Sequence, residues 1–92
     1  MNSVVEITDM LGVDYYYVSV SFERNALLLE KPRGLFAKNI KSRIKLSEIK
    51  DVSVMNEQGV DTLSFFYDRN WYTFIDYGNH IVSSLKRNLM FI

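Results

Sequence analysis

The feature that most constrains this chain is a single amphipathic stripe at its C-terminal end. In Asp76 to Ile92, Ile81, Leu85, Leu89 and Ile92 recur at helical spacing with Val82 widening the stripe, while Ser83, Lys86, Arg87 and Asn88 take the other side. The pattern predicts one helix over about residues 77–90. A lone helix cannot bury such a stripe in water, so the rest of the chain must supply an apolar face for it to close.

The rest reads as short alternating strands. Tyr16, Val18, Val20 and Phe22 fall on one face, with Tyr15, Tyr17, Ser19 and Ser21 on the other. Glu23-Arg24-Asn25 is a hairpin connection in which Asn25 can take the left-handed conformation. Ala26-Leu27-Leu28-Leu29 is an apolar run that suits a strand covered on both sides, broken by Pro32 and Gly34. Ile40, Ser42, Ile44 and Leu46 alternate with Lys41, Arg43 and Lys45. Ser47-Glu48-Ile49 makes a turn, and Val52 and Val54 continue the inward face. After the turn cluster Asn56-Glu57-Gln58-Gly59, Leu63, Phe65 and Tyr67 form the next inward row, Asp68-Arg69-Asn70 another hairpin, and Trp71 to Ile75 the last strand. Residues 3–11 admit two readings. Ser3-x-x-Glu6 with Gly12 suggests a capped helix, whereas the β-branched Val4, Val5, Ile7 and Thr8 favour a strand, and the weight falls on the strand.

These elements predict a mainly β (α+β) fold: six or seven antiparallel strands within 3–76, in a meander curved into a half-open barrel and closed by the C-terminal helix. Ninety-two residues make one domain, 1–92, with room for a modest core and little for a deep cleft. No cysteine is present, which excludes disulfides and thiolate chemistry. The opening Met1-Asn2-Ser3-Val4-Val5-Glu6 lacks a basic, apolar leader pattern, and no apolar run approaches the length of a membrane span. The resulting expectation is a cytoplasmic protein.

Zero net charge conceals segregation. Residues 31–50 carry seven cations against Glu48, a local balance of +6, while 1–30 balance at −4 and 51–92 at −2. Lys31, Arg33, Lys38, Lys41, Arg43 and Lys45 are therefore the candidate site for an acidic partner or an anion. Lys41, Arg43 and Lys45 would share one face at about 7 Å spacing, which suits repeated phosphates or an acidic protein surface and equally a solvated edge strand. Leu35-Phe36 forms an apolar tip within this basic segment, the pattern of a peripheral membrane module and also of a tip packed on protein. Tyr15, Tyr16 and Tyr17, with Phe66, Trp71 and Tyr72, are candidates for an exposed aromatic patch. The lone His80, in the first turn of the expected helix, cannot build a multi-histidine metal site. With no phosphate loop and no convincing acid pair, the chain is read as non-enzymatic, with no cofactor or metal. Zero net charge and the lack of a nucleic-acid motif argue against a nucleic-acid partner.

In strand order and texture the chain resembles the pleckstrin-homology-like superfamily, particularly its small bacterial and GRAM-type members. The resemblance is carried by Ala26-Leu27-Leu28-Leu29-Glu30-Lys31, by Ile44-Lys45-Leu46-Ser47-Glu48-Ile49-Lys50-Asp51-Val52, by Leu63-Ser64-Phe65, by Tyr72-Thr73-Phe74 and by the closing leucine helix, across most of residues 15–90. It implies a seven-strand half-open barrel capped by the helix. It also implies a binding role, towards phosphorylated lipid headgroups, proteins or further copies of the chain. Phosphoinositide-binding members often place Lys, a spacer and then Lys/Arg-x-Arg across the first hairpin. Lys31, nine residues and Lys41-Ser42-Arg43 match that pattern, but on the third and fourth strands, one hairpin late. The expected partners are thus a protein or a second copy, with anionic membrane as the alternative.

Overall fold

The computed structural model describes residues 1–34, 36 and 38–89. Seven strands, β1 (Asn2–Asp9), β2 (Gly12–Glu23), β3 (Ala26–Glu30), β4 (Lys41–Lys45), β5 (Lys50–Glu57), β6 (Val60–Tyr67) and β7 (Asn70–Ile75), precede one helix, α1 (Ile81–Leu89). All pair antiparallel in a single sheet of order β4-β3-β2-β1-β7-β6-β5. Residues 3–11 therefore enter a strand and a turn rather than a helix.

Curvature follows from connectivity. β4 and β5 lie at opposite ends of the sheet, yet only Leu46 to Ile49 separate them, partly as a 3-10 turn over Leu46–Glu48. That link reaches at most about 18 Å when extended. A flat sheet would hold its outer strands about 29 Å apart at the usual strand spacing. The sheet must curl, and the result is a half-barrel.

Turn chemistry fixes the registers. Asp9 Oδ1 accepts the N–H groups of Leu11 (2.7 Å) and Gly12 (3.1 Å), closing the β1–β2 hairpin with Met10 and Leu11 almost fully exposed at its tip. Asn25 takes the left-handed φ of 61° expected of it. Asp68 (47°) and Arg69 (70°) both have positive φ, the geometry that matches a two-residue hairpin to strand twist.

The inner face is the core. Val5, Val18, Leu27, Leu29, Ile44, Leu63, Phe65 and Phe74 are fully buried there, and α1 adds Ile81, Val82 and Leu85. Phe65 stacks between Tyr72 and Phe74, with ring centroids 5.2 and 6.0 Å away. The alternation read for β2, with Tyr16, Val18, Val20 and Phe22 inward, matches the burial, as does the inward row Leu63, Phe65 and Tyr67. Leu28, on the outer face of β3, is only half-buried, so that strand is covered on one side. Val54 lies opposite Leu63 but is 36% exposed, because β5 is the outermost strand and extends past the cover of the helix.

The helix begins later than its hydrophobic pattern suggests, at Ile81 rather than about 77. Asp76 turns the chain out of β7, its carboxylate accepting the N–H groups of Gly78 (2.8 Å) and Val82 (3.3 Å). Asn79 accepts from the Ile81 N–H (3.3 Å) and donates to the Asn2 carbonyl (2.6 Å), tying the start of the helix to β1. These side chains satisfy first-turn donors that have no partner within the helix. His80, at φ 64° and exposed, precedes the helix instead of lying in its first turn. Ile92, the last residue of the stripe, lies outside the described residues.

Candidate interaction surface

Two exposed surfaces follow from the alternation of the strands. The first is the basic one. Lys41, Arg43 and Lys45 share the outer face of the sheet's edge strand, all exposed, as their spacing requires. Acids meet them there. Arg43 pairs with Glu23, Lys45 with Glu48 at 3.6 Å, and Lys41 lies opposite Glu30 in the strand register. Lys38 bonds Asp14 at 2.6 Å, which holds its ammonium above the ordinary value, and it sits 5.4 Å from the centre of the Tyr16 ring. Lys31 is half-buried, and Arg33 and Phe36 are exposed; Leu35 lies outside the described residues. The local balance of +6, which already counts Glu48, is thus partly offset in space by Asp14, Glu23 and Glu30. Exposed pairs of this kind are worth between about 0 and 1 kcal/mol, so they screen the basic strand more than they stabilise it.

A groove of about 580 Å³ opens where the 3-10 turn faces the β6–β7 turn, bounded by Lys45, Glu48, Lys50, Asp68 and Arg69. All five are exposed, and their signs alternate, so no single-sign field converges on the groove. Among the described residues no group of three or more His, Asp or Glu is placed to hold a metal ion.

The second surface is the outer face of β2, β1, β7, β6 and β5. Pairing registers set its rows. Val13, Thr8, Trp71, Phe66 and Lys50 lie side by side; then Tyr15, Glu6, Thr73, Ser64 and Ser53; then Tyr17, Val4, Ile75, Thr62 and Met55. Within these three rows only Glu6 and Lys50 carry charge. Val13, Tyr15, Tyr17, Trp71 and Met55 are each at least two-fifths exposed, and none of the described elements covers this side. Trp71 packs edge-on against Phe66 at 5.2 Å, and the Ser64 and Thr73 hydroxyls bond across the strands at 2.8 Å. The Glu6 carboxylate, as hydrogen-bond acceptor and as nearby charge, holds the Tyr15 hydroxyl above its ordinary value.

Of the aromatic residues expected to form a patch, Tyr15, Tyr17, Trp71 and the half-buried Phe66 share this face. Tyr16 and Tyr72 do not: both point inward, and Tyr72 is 6% exposed beside Phe65. Burial holds the Tyr72 hydroxyl above its ordinary value, opposed by hydrogen bonds with Asn70 and with Ser42 of β4. Val13 and Met55 join the face without having been singled out from the sequence. The signal for Val13 was available, since it continues the odd-numbered row of Tyr15 and Tyr17.

Among the described residues no helix is long and apolar enough to cross a membrane. No protein-family model matches the chain, and no curated protein or solved structure is significantly similar to it.

Proposed function

We propose that the chain is a non-catalytic interaction module of the pleckstrin-homology-like type that acts by protein–protein contact, including contact between copies of itself. The observation that carries this reading is the uncovered outer face, where Tyr15, Tyr17, Trp71, Val13 and Met55 stand in adjoining rows with only two charges. Rings of this size release the most free energy when a partner removes them from water, at about 25 cal/mol per Å² of apolar surface. Interfaces are enriched in aromatic side chains and depleted of charge at their centres.

A photo-crosslinking residue placed at Trp71, with Lys41 as the control position, tests the reading in the cells that make the protein. Protein adducts at Trp71 and few at Lys41 are expected. Adducts confined to Lys41, or to lipid, would overturn it.

A second reading, peripheral binding to anionic lipid headgroups, draws support from Phe36, which is fully exposed in the same segment as the exposed Arg33. It predicts salt-sensitive sedimentation with phosphatidylserine vesicles that disappears in a Lys41→Glu/Arg43→Glu/Lys45→Glu variant. The first reading predicts no difference between that variant and the wild type.

A further inference from the structure

The two charges within the three outer rows are not used inside the chain. Glu6 stands in the middle row on β1 and Lys50 in the first row on β5, with β7 and β6 between them. Three strand spacings of about 4.8 Å and one row of about 7 Å set them roughly 16 Å apart along the sheet, beyond the reach of an ion pair. Among the described residues neither has an ion-pair partner: the pairs are Lys38 with Asp14, Arg43 with Glu23 and Lys45 with Glu48. Glu6 accepts a hydrogen bond from the Tyr15 hydroxyl and is half-buried, and Lys50 is exposed.

The face around them has the extent and the profile of a contact. A fourth row, with Ser19, Asn2, Val60 and Glu57, continues the three already described. Five strands and four rows project to roughly 24 by 27 Å, of the order of the ~800 Å² that each partner gives to a standard interface. The sheet curves away from this side, and side-chain size compensates. β1, the middle strand of the seven, and its neighbour β7 carry Val4, Thr8, Thr73 and Ile75, all half-buried. Tyr15 and Tyr17 stand on β2 and Met55 on β5, each at least two-fifths exposed. Short residues on the crown and long ones on the shoulders flatten the surface. Trp71, at one end of β7, is the large ring on the crown, packed edge-on against Phe66.

We propose that this face packs against the same face of a second copy, about a two-fold axis that runs parallel to the strands over β7. The proposal deepens, and rests on, the reading of the chain as an interaction module. Sheets that pack face to face keep their strands nearly aligned, which leaves two directions for the axis, along the strands or across them. The charges choose between these. An axis along β7 exchanges β2 with β5 and β1 with β6. Lys50 of the second copy then comes opposite Val13, one strand and one row from Glu6, and the same pair forms again on the other side of the axis. Facing sheets lie about 10 Å apart, a gap that an extended lysine and glutamate close together. An axis across the strands keeps every strand opposite itself. Glu6 would then stay three strands from Lys50 of the other copy, and with the axis on the middle row it would face a second Glu6, a like-charge contact. The axis along β7 also sets Tyr17 against Met55 and Phe66 against Thr8, with Trp71 and Ile75 each against its own equivalent. At the solvent-exposed rim, Glu57 of the second copy comes beside Glu30, a carboxylate that Lys41 already faces.

Single charge reversals report on this axis. Glu6→Lys and Lys50→Glu each set like charges across it, and each should weaken self-association roughly tenfold in sedimentation velocity while keeping the wild-type circular dichroism. Mixed in equal amounts, the two variants should regain wild-type association, because each copy then offers the charge that the other lacks. A pairing within one chain would not be restored by mixing. A benzophenone side chain placed at Tyr17 should cross-link to β5 of the second copy, around Met55. A wild type that remains monomeric at every concentration overturns the proposal. So does a mixture that associates no better than either variant alone, or a Tyr17 cross-link to β2 of the second copy. Protein adducts at Trp71 in a monomeric wild type would leave the interaction-module reading standing; their absence would remove both.

Discussion

β2 and β4 are built on the same plan and offer opposite surfaces. Each buries alternate residues in one core, Val18 and Val20 from β2 and Ile44 from β4, and each exposes the residues between. On β4 those are Lys41, Arg43 and Lys45, met by Glu30, Glu23 and Glu48. On β2 they are Val13, Tyr15 and Tyr17, with one carboxylate, Glu6, on the neighbouring strand. Solvated cations beside acids gain little from a partner, because docking must strip water from charges that are already balanced. Exposed rings gain by leaving water. Charge density along a sequence is therefore a poorer guide to a contact surface than the charge that survives folding.

Four changes break or sharpen this contrast. The largest effect is expected on the inner side of β4, where Ile44→Ala should cost about 2–5 kcal/mol in denaturant unfolding. A much smaller loss would mean that β4 is not part of the core. Next comes Trp71→Ala on the outer face. It loses the edge-on contact with Phe66 and should cost about 1 kcal/mol, whereas a loss in the range of a buried ring would show that this face is packed in solution. The third is read against pH. Tyr72 ionises less readily when folded, chiefly because it is buried. Its contribution to stability is thus intact below the ordinary tyrosine value of 10.0 and is lost as pH rises through the higher folded value. Melting temperatures above pH 10 should fall less steeply in Tyr72→Phe than in wild type. The smallest effect is that of Arg43→Ala, which removes the pair with Glu23 and should change stability by less than about 1 kcal/mol.

Period-two alternation made the strands and their inward faces legible, because a single slip would expose every core residue of a strand. The half-barrel and its closing helix were legible for the same reason: Ile81, Val82 and Leu85 needed a sheet to cover. The start of the helix was not. Apolar spacing reports which face is buried, whereas the start is set by Asp76 and Asn79, whose hydrogen bonds are fixed only once β1 and β7 are in place. Gly12 read as a helix stop from its neighbours, yet it closes a hairpin held by Asp9. The acids facing β4 come from β2, β3 and the 3-10 turn, so the partial neutralisation of the basic strand is a property of the register.

Sedimentation velocity across a concentration series tests the central claim, that contact runs through the aromatic side and not the basic strand, most directly. It compares wild type with Lys41→Glu/Arg43→Glu/Lys45→Glu and with Tyr15→Ser/Tyr17→Ser/Trp71→Ser. The account predicts association in the wild type and in the charge-reversed variant, and a monomer when the aromatic residues are replaced. Association that survives the serine substitutions and vanishes on charge reversal would contradict it.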